Sequence, residues 1–135
     1  RTQSIEFQVD IIDYKNVATK DQQMNPDDSD LIFFQLIDLL LENYLYIAAD
    51  TALGYIQDLH SNQYLLTKAR IRIMQGQYVE ATTALDELLP KNQDNLQAWI
   101  MRGHAFFLHG NLFDSEESYI HALRLKPNLK DPVLQ

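Results

Sequence analysis

The four histidines have the widest chemical range of any residues in this chain, because imidazole serves as a metal ligand, a general base or a cation near neutral pH. They are His60, His104, His109 and His121. No pair of neighbouring carboxylates completes a metal shell around them, and the chain has no cysteine to supply thiolates. His109 directly precedes Gly110, where a cation would interact with the carbonyl end of a helix. The histidines therefore favour structural roles over a metal site.

Other groupings that could support catalysis are also missing from the sequence. Asp114, Glu116 and Glu117 have the spacing of a solvated acidic first turn of a helix, not that of a paired general acid and base. The sequence has no grouping of serine, histidine and aspartate, no glycine-rich phosphate loop and no dinucleotide fingerprint. We expect no enzyme activity, no cofactor and no metal.

One cluster of cations could bind a carboxylate. Lys68, Arg70 and Arg72 alternate along a predicted helix, so their side chains spread over a wide arc. Arg70 together with His104 could pair with an acidic group of a ligand. The alternative is that the cations are solvated and balance nearby acidic residues, and the sequence leaves both interpretations open.

Composition limits the classes of partner. Hydrophobic residues make up 46% of the 135 residues, which is enough for a core and argues against a disordered chain. The net charge of −8 repels nucleic-acid phosphates and anionic lipid headgroups. No apolar run approaches the roughly 20 residues that span a bilayer. We expect a cytoplasmic protein whose partners are other proteins or peptide segments, including a second copy of itself, and not nucleic acid or membrane.

The apolar spacing changes once along the chain. Residues 4–14 alternate apolar and polar side chains as a strand would, but no neighbouring strand could pair with them, so residues 1–28 are interpreted as an extended or irregular arm and linker. From Leu31 onward the period is helical, and Ser61 or Asn62 could cap the third helix. The predicted helices span 31–42, 45–59, 61–75, 78–89, 94–109 and 112–125, with the start of another at 130–135. Because the chain begins on Arg1 and the pattern restarts at its end, we expect it to belong to a longer protein.

Gly76 and Gly110 are thirty-four residues apart, and the small and large apolar positions around them match at that offset. The matching set around Gly110 is Trp99, Gly103, Phe106, Tyr119, Ala122, Leu123 and Pro127. The set around Gly76 is Leu65, Ala69, Tyr78, Ala81, Leu85 and Leu89. Asn43 is predicted to take the glycine position of a first, divergent repeat, since asparagine tolerates positive φ better than most residues. Leu45, Ala48, Ala52 and Ile56 then follow it in the same pattern.

On these residues the chain resembles the tetratricopeptide repeat family. The resemblance implies an all-α fold, an α-solenoid of antiparallel helix pairs with about three repeats at 29–60, 61–93 and 94–128 within a domain 29–135. Small residues would let the two helices of a pair approach closely, and each pair would cover the apolar face of the next. The implied function is a non-catalytic scaffold for protein–protein interaction.

The family's register also implies which side chains line the concave groove between repeats. The implied partner-binding residues are Phe33, Ile37, Leu40, Leu66, Arg70, Ile73, Ile100, His104 and Phe107. The alternative is that this register is off by one position and several of these side chains are interhelical core. Some family members clamp the acidic tails of chaperones with lysine, asparagine and arginine. The corresponding positions here are Phe33, Ile37, Arg70, Ile100 and His104, so chaperone-tail binding is not expected.

A narrower resemblance covers residues 64–135. Ala98-Trp99, Gly103-His104, the run from Glu116 to Tyr119 and the run from Lys130 to Pro132 are similar to repeats of axoneme-associated proteins of cilia and flagella. This similarity implies a structural scaffold in a cytoskeletal or ciliary assembly. Two alternatives stay open. One is an adaptor that holds a short linear peptide in the groove, and the other is self-association with residues 4–14 filling the groove.

Overall fold

The computed structural model describes residues 26–126 of the chain. Within that range the backbone forms six α-helices and one short 3₁₀ turn, with no β-strand. The elements are α1 (Pro26–Glu42), α2 (Tyr46–Leu53), α3 (Asn62–Met74), α4 (Tyr78–Leu88), the 3₁₀ turn Leu89–Lys91, α5 (Leu96–His109) and α6 (Leu112–Leu125). The predicted arm and linker, residues 1–28, lies outside the described residues up to residue 25, and residues 26–28 form the first turn of α1 instead, five residues before the predicted helix start at Leu31. The further helix predicted at 130–135 also lies outside the described residues. The all-helical fold that the sequence predicts is confirmed for the part described.

The chain divides into two compact units, Arg1–Tyr64 and Leu65–Gln135, and each is described by itself. In the first unit, α1 packs against α2. In the second, α4 packs against α5, and α5 packs against α6. These three pairs of consecutive helices are therefore packed within their units. None of the helices in the described range combines the length and the apolar content that crossing a membrane requires.

Short polar side chains begin three of the helices. The Ser61 hydroxyl accepts a hydrogen bond from the Tyr64 N–H (3.0 Å) at the start of α3, as the sequence predicts. The Asn95 side-chain oxygen accepts one from the Ala98 N–H (3.0 Å) at the start of α5. Asn111 caps α6 in the same way. These caps satisfy amide groups that have no partner inside their own helix, so they place the helix starts locally.

Three helices end in the same kind of turn, which contains a residue in the left-handed region. The residues are Tyr44 (φ 59°), Gly76 (φ 77°) and Gly110 (φ 90°). In each turn, the following amide donates to a carbonyl five residues earlier, which is the pairing of a Schellman cap. The three bonds are Leu45 N–H to Leu40 O (2.9 Å), Gln77 N–H to Arg72 O (2.8 Å) and Asn111 N–H to Phe106 O (2.9 Å).

The predicted position of the first turn is wrong by one residue. Tyr44, not Asn43, adopts the positive φ. The Asn43 amide instead donates to the Leu39 carbonyl (2.8 Å), so it satisfies an open carbonyl at the end of α1. The shift moves the register of α2 as well, because the fully buried alanine is Ala49, whereas Ala48 is only half-buried.

The predicted end of α2 is also wrong. The apolar pattern predicts a helix to residue 59, but α2 ends at Leu53. The Gly54, Tyr55 and Ile56 amides donate to carbonyls three residues earlier, so the α-helical ladder has ended before residue 57. A contact from a different helix then fixes the segment that follows. The Asp30 carboxylate of α1, only 5% exposed, accepts hydrogen bonds from the Gln57 N–H (2.8 Å) and the Asp58 N–H (3.1 Å). Amides that donate to Asp30 cannot also resume the hydrogen-bond ladder of α2.

Helices α5 and α6 meet where both carry small residues. The Ser115 hydroxyl donates to the Gly103 carbonyl (2.8 Å). Ala122, two turns later on the same face of α6, is 2% exposed. A Cβ added to Gly103 would lie 2.7 Å from a ring carbon of Tyr119. The same packing withdraws the Tyr119 ring from water, and this burial raises the pKa of the Tyr119 phenol. At Gly103, α6 therefore lies too close to α5 to leave room for a side chain.

We expect Tyr44→Gly to stabilise the protein by about 0.5–1 kcal/mol. A residue with a Cβ pays about 1–2 kcal/mol for a left-handed backbone, and glycine avoids this cost. Part of the gain is lost because glycine is more flexible in the unfolded chain, which stabilises the unfolded state. The Tyr44 side chain is 78% exposed, so its removal loses little packing. Urea denaturation monitored by circular dichroism measures the change.

Gly110→Ala is the mirror control for that prediction. Its added Cβ would meet no atom within 4 Å, so only the backbone at φ 90° resists the change. We expect a loss of about 0.5–1 kcal/mol from the same two opposing effects. If both variants shift the urea midpoint in the same direction, the left-handed turns do not carry the strain assigned to them.

Candidate interaction surfaces

The three predicted groove residues on α1 are buried in this structure. Phe33 is 2% exposed, and Ile37 and Leu40 are fully buried. A partner could contact them only if their present neighbours moved away. Counting back from the left-handed turn at Tyr44 moves the three positions to Phe34, Asp38 and Leu41. Phe34 (6% exposed) and Leu41 (3% exposed) are buried too, so the shift does not open this face, and of the three only Asp38 is exposed.

Two of the three cations in the α3 cluster interact with other groups of the chain. Arg72 donates to the Gln75 side chain (2.9 Å), and its Nε lies 3.8 Å from a Glu80 carboxylate oxygen. Arg70 is exposed but has an interaction of its own inside the protein, and Lys68 is half-buried. These contacts are explained at least as well by cations that balance nearby acidic and polar groups as by a site for a ligand. Pairing of Arg70 with a partner's carboxylate stays a prediction.

An exposed apolar row runs along α5. Ile100 is 36% exposed and Phe107 is 58% exposed, and the exposed imidazole of His104 lies between them. Spacings of four and three residues place the three side chains on one face of the helix. Leu66 and Ile73, the predicted groove residues on α3, are half-buried. The row formed by Ile100, His104 and Phe107 is therefore the part of the predicted groove that is most open to a partner.

A second site, which the sequence does not predict, centres on Arg102 between α4, α5 and α6. Its Nε donates to Asp86 Oδ1 (2.9 Å) and its Nη1 donates to the Ser118 hydroxyl (2.8 Å). The Glu117 carboxylate lies 3.8 Å from the same Nη1. The Arg102 side chain is only 16% exposed, while those of Asp86 and Glu117 are about half exposed. One largely buried guanidinium thus holds two carboxylates from neighbouring helices at the surface.

Aromatic rings surround this arginine. The Trp99 and His121 rings stack with centroids 4.2 Å apart and planes 11° from parallel. The Trp99 indole N–H donates to the Gln93 carbonyl (2.8 Å), which fixes the ring's orientation. The Arg102 Cζ lies 4.8 Å from the Phe106 ring centroid, within the range of a cation–π contact. The side chains that hold Arg102 in place are therefore ordered by several independent contacts.

A cavity of about 550 Å³, which we call the Arg102 cavity, is lined by eight residues that include Trp99, Arg102 and His121. Leu89 and Pro90 supply its apolar wall, and Asp86, Glu117 and His121 lie at its polar side. The spacing of Trp99, Arg102 and Phe106 could have indicated a shared helix face, but their partners come from α4 and α6. No local pattern in the sequence links those three helices.

No three histidine, cysteine or acidic side chains of residues 26–126 lie close enough together to hold a metal ion. No protein-family model, no curated protein and no solved structure matches this chain. The helix pairs, the α5 row and the Arg102 cavity are therefore the features on which a function must be built.

Proposed function

We propose that this chain is a non-catalytic protein-interaction module of the tetratricopeptide-repeat type, which holds a partner protein along α5 as part of a larger scaffold. The observation that carries the proposal is the exposed row of Ile100, His104 and Phe107 on a chain of net charge −8. Exposed apolar side chains that share one helix face mark an interaction surface more often than scattered ones do.

The repeat part of the proposal is supported by the turns. The same cap recurs at Tyr44, Gly76 and Gly110, and each of these turns joins two consecutive helices. The packed pairs α1 with α2 and α5 with α6 are the units that such an array would stack. We infer an α-solenoid of about three repeats from this recurrence together with the residue pattern of the sequence.

The energetics favour Phe107 as the anchor of the contact. Covering a largely exposed phenylalanine contributes about 1.5–3 kcal/mol, and the most important residues of interfaces are often such aromatic anchors. The His104 imidazole beside it supplies a polar group that a partner could pair with. A folded partner that covers the whole row would gain more than a short peptide that fills one site, and this favours a scaffold over a peptide adaptor.

Photo-crosslinking in the cells that produce the protein tests the proposal. With p-benzoylphenylalanine in place of Phe107, we expect one discrete crosslinked product, whose mass identifies a second protein. Adding Ile100→Asp should abolish the product because the charge interrupts the apolar row. The matched control variant is Leu112→Asp, which makes the same change at an exposed position on α6 and should leave the product unchanged.

The crosslinker in place of Phe113 serves as the position control, since this phenylalanine is even more exposed, at 77%. Products from position 113 but not from position 107 would disprove the α5 contact, as would a product that Ile100→Asp leaves intact. A product of twice the chain's own mass would instead support self-association. A product carrying only a short peptide after mild proteolysis would support the adaptor.

The ciliary or flagellar setting is a further proposal, and it rests on the resemblance of residues 64–135 alone. A fluorescent fusion of the full-length protein in a ciliated cell should remain on the axoneme after detergent extraction. A signal that is diffuse in the cytoplasm and lost on extraction would contradict this setting without affecting the interaction module.

A further inference from the structure

The Arg102 cavity has an excess of negative charge. Two carboxylates, those of Asp86 and Glu117, share the single guanidinium of Arg102. Asp86 uses one oxygen for its hydrogen bond to Arg102, and Glu117 lies 3.8 Å away from Arg102, beyond hydrogen-bond distance. Within residues 26–126, most of the acceptor capacity of these two half-exposed carboxylates is therefore unused and available to an incoming donor.

We propose that the Arg102 cavity binds an arginine side chain from a basic segment of a partner protein. A planar guanidinium donates to two carboxylates at once, so it would bridge Asp86 and Glu117 with paired hydrogen bonds. The methylene stem of the incoming arginine would lie on the apolar wall formed by Leu89, Pro90 and Trp99. The site therefore matches both the charge and the shape of the side chain.

A cationic ligand fits this site better than an anionic one. Arg102 already donates to Asp86 and to Ser118, and the rings of Trp99 and Phe106 cover it, so little of its charge is left for an incoming carboxylate. The net charge of −8 over the whole chain also attracts basic segments from a distance. The charges of the cavity and the net charge of the whole chain thus both favour a positively charged partner.

Trp99 makes the proposal directly testable, because it is the only tryptophan of the chain and it lines the cavity. The probe is a capped tetrapeptide with two arginines between glycines, and a peptide with two glutamates in their place is the control. We expect a saturable change in tryptophan emission with the arginine peptide and no change with the glutamate peptide. Spermidine, added separately, should bind at least about tenfold more weakly than the arginine peptide, because its amines cannot donate the two parallel hydrogen bonds of a guanidinium.

Paired variants separate specific binding from general attraction. Asp86→Asn combined with Glu117→Gln should weaken the arginine peptide at least about tenfold, the loss expected from one charge-assisted contact. The matched control is Glu87→Gln combined with Glu116→Gln, which removes the same charge from the adjacent residue of each helix. That control should change the affinity less than about twofold, since it leaves both cavity carboxylates in place.

Circular dichroism and thermal melting confirm that each variant is folded before its affinity is measured. If the double cavity variant does not fold, Glu117→Gln alone replaces it, because within residues 26–126 the Glu117 carboxylate makes an ion pair with Arg102 at 3.8 Å but no hydrogen bond. The proposal is overturned if the two double variants weaken binding equally, if spermidine binds as tightly as the peptide, or if emission does not respond. Because Trp99 and Arg102 occupy a different face of α5 from Ile100 and Phe107, this test and the crosslinking test can fail independently.

Discussion

Gly103→Leu should destabilise the protein by about 1–3 kcal/mol or more, the usual cost of forcing a larger side chain into a packed contact. A Cβ at this position would lie 2.7, 2.8 and 2.9 Å from three ring carbons of Tyr119, and the rest of a leucine side chain needs still more room. The helices cannot separate cheaply, because the Ser115 hydroxyl holds the Gly103 carbonyl at 2.8 Å. The loss of stability is measured by urea denaturation and thermal melting.

Two further variants show whether the cost comes from this contact. His104→Leu places the same side chain on the exposed neighbouring position and should leave stability within about 0.5 kcal/mol. Combining Gly103→Leu with Tyr119→Ala should cost less than the sum of the two single changes, since the second removes the ring that the first collides with. A melting midpoint that Gly103→Leu leaves unchanged would show that α5 and α6 are not packed in this register.

Asp30→Ala is expected to cost about 2–5 kcal/mol, because it leaves two partly buried backbone amides without an acceptor and each costs about 1–3 kcal/mol. The amides are those of Gln57 and Asp58, which donate to the carboxylate at 2.8 and 3.1 Å. The bonds join α1 to the segment that follows α2, so their loss should loosen that segment first. Urea denaturation gives the overall change, and amide hydrogen exchange should show lost protection at residues 57 and 58.

Asp30→Asn and Glu42→Gln complete this test. An asparagine keeps one acceptor oxygen but turns an N–H group toward the other amide, so we expect an intermediate loss. Glu42→Gln removes one charge from an exposed position on the same helix and should be nearly neutral. Equal effects of Asp30→Ala and Glu42→Gln would mean that the loss of charge matters and the two hydrogen bonds do not.

Much of the helical framework could be predicted because its signals are local. The cap at Ser61 and the left-handed glycines at 76 and 110 act within one helical turn, and the structure places them where the sequence predicts. Apolar periodicity also predicts which face of a helix is buried. The face that carries Ile100, His104 and Phe107 is exposed, as expected of a groove, although its contact with a partner stays a prediction.

The first helix pair shows where local signals are insufficient. Asn43 is a better left-handed residue than Tyr44 on intrinsic preference, yet the chain turns at Tyr44 while the Asn43 side chain caps α1. The difference of one residue changes the buried face of α2, where Ala49 instead of Ala48 is fully buried. The intrinsic preference of one residue is worth only about 1–2 kcal/mol, so packing over a whole helix outweighs it.

The sequence by itself determined the all-helical class and the turn glycines, because each depends on residues within about one or two helical turns. Only the tertiary structure decided the path of the segment that follows α2 and the Arg102 cavity. The first depends on Asp30, twenty-seven residues before Gln57, and the second brings Asp86 and Glu117 together around Arg102 from three helices. Such contacts follow from how helices pack, and packing depends on all the buried side chains at once.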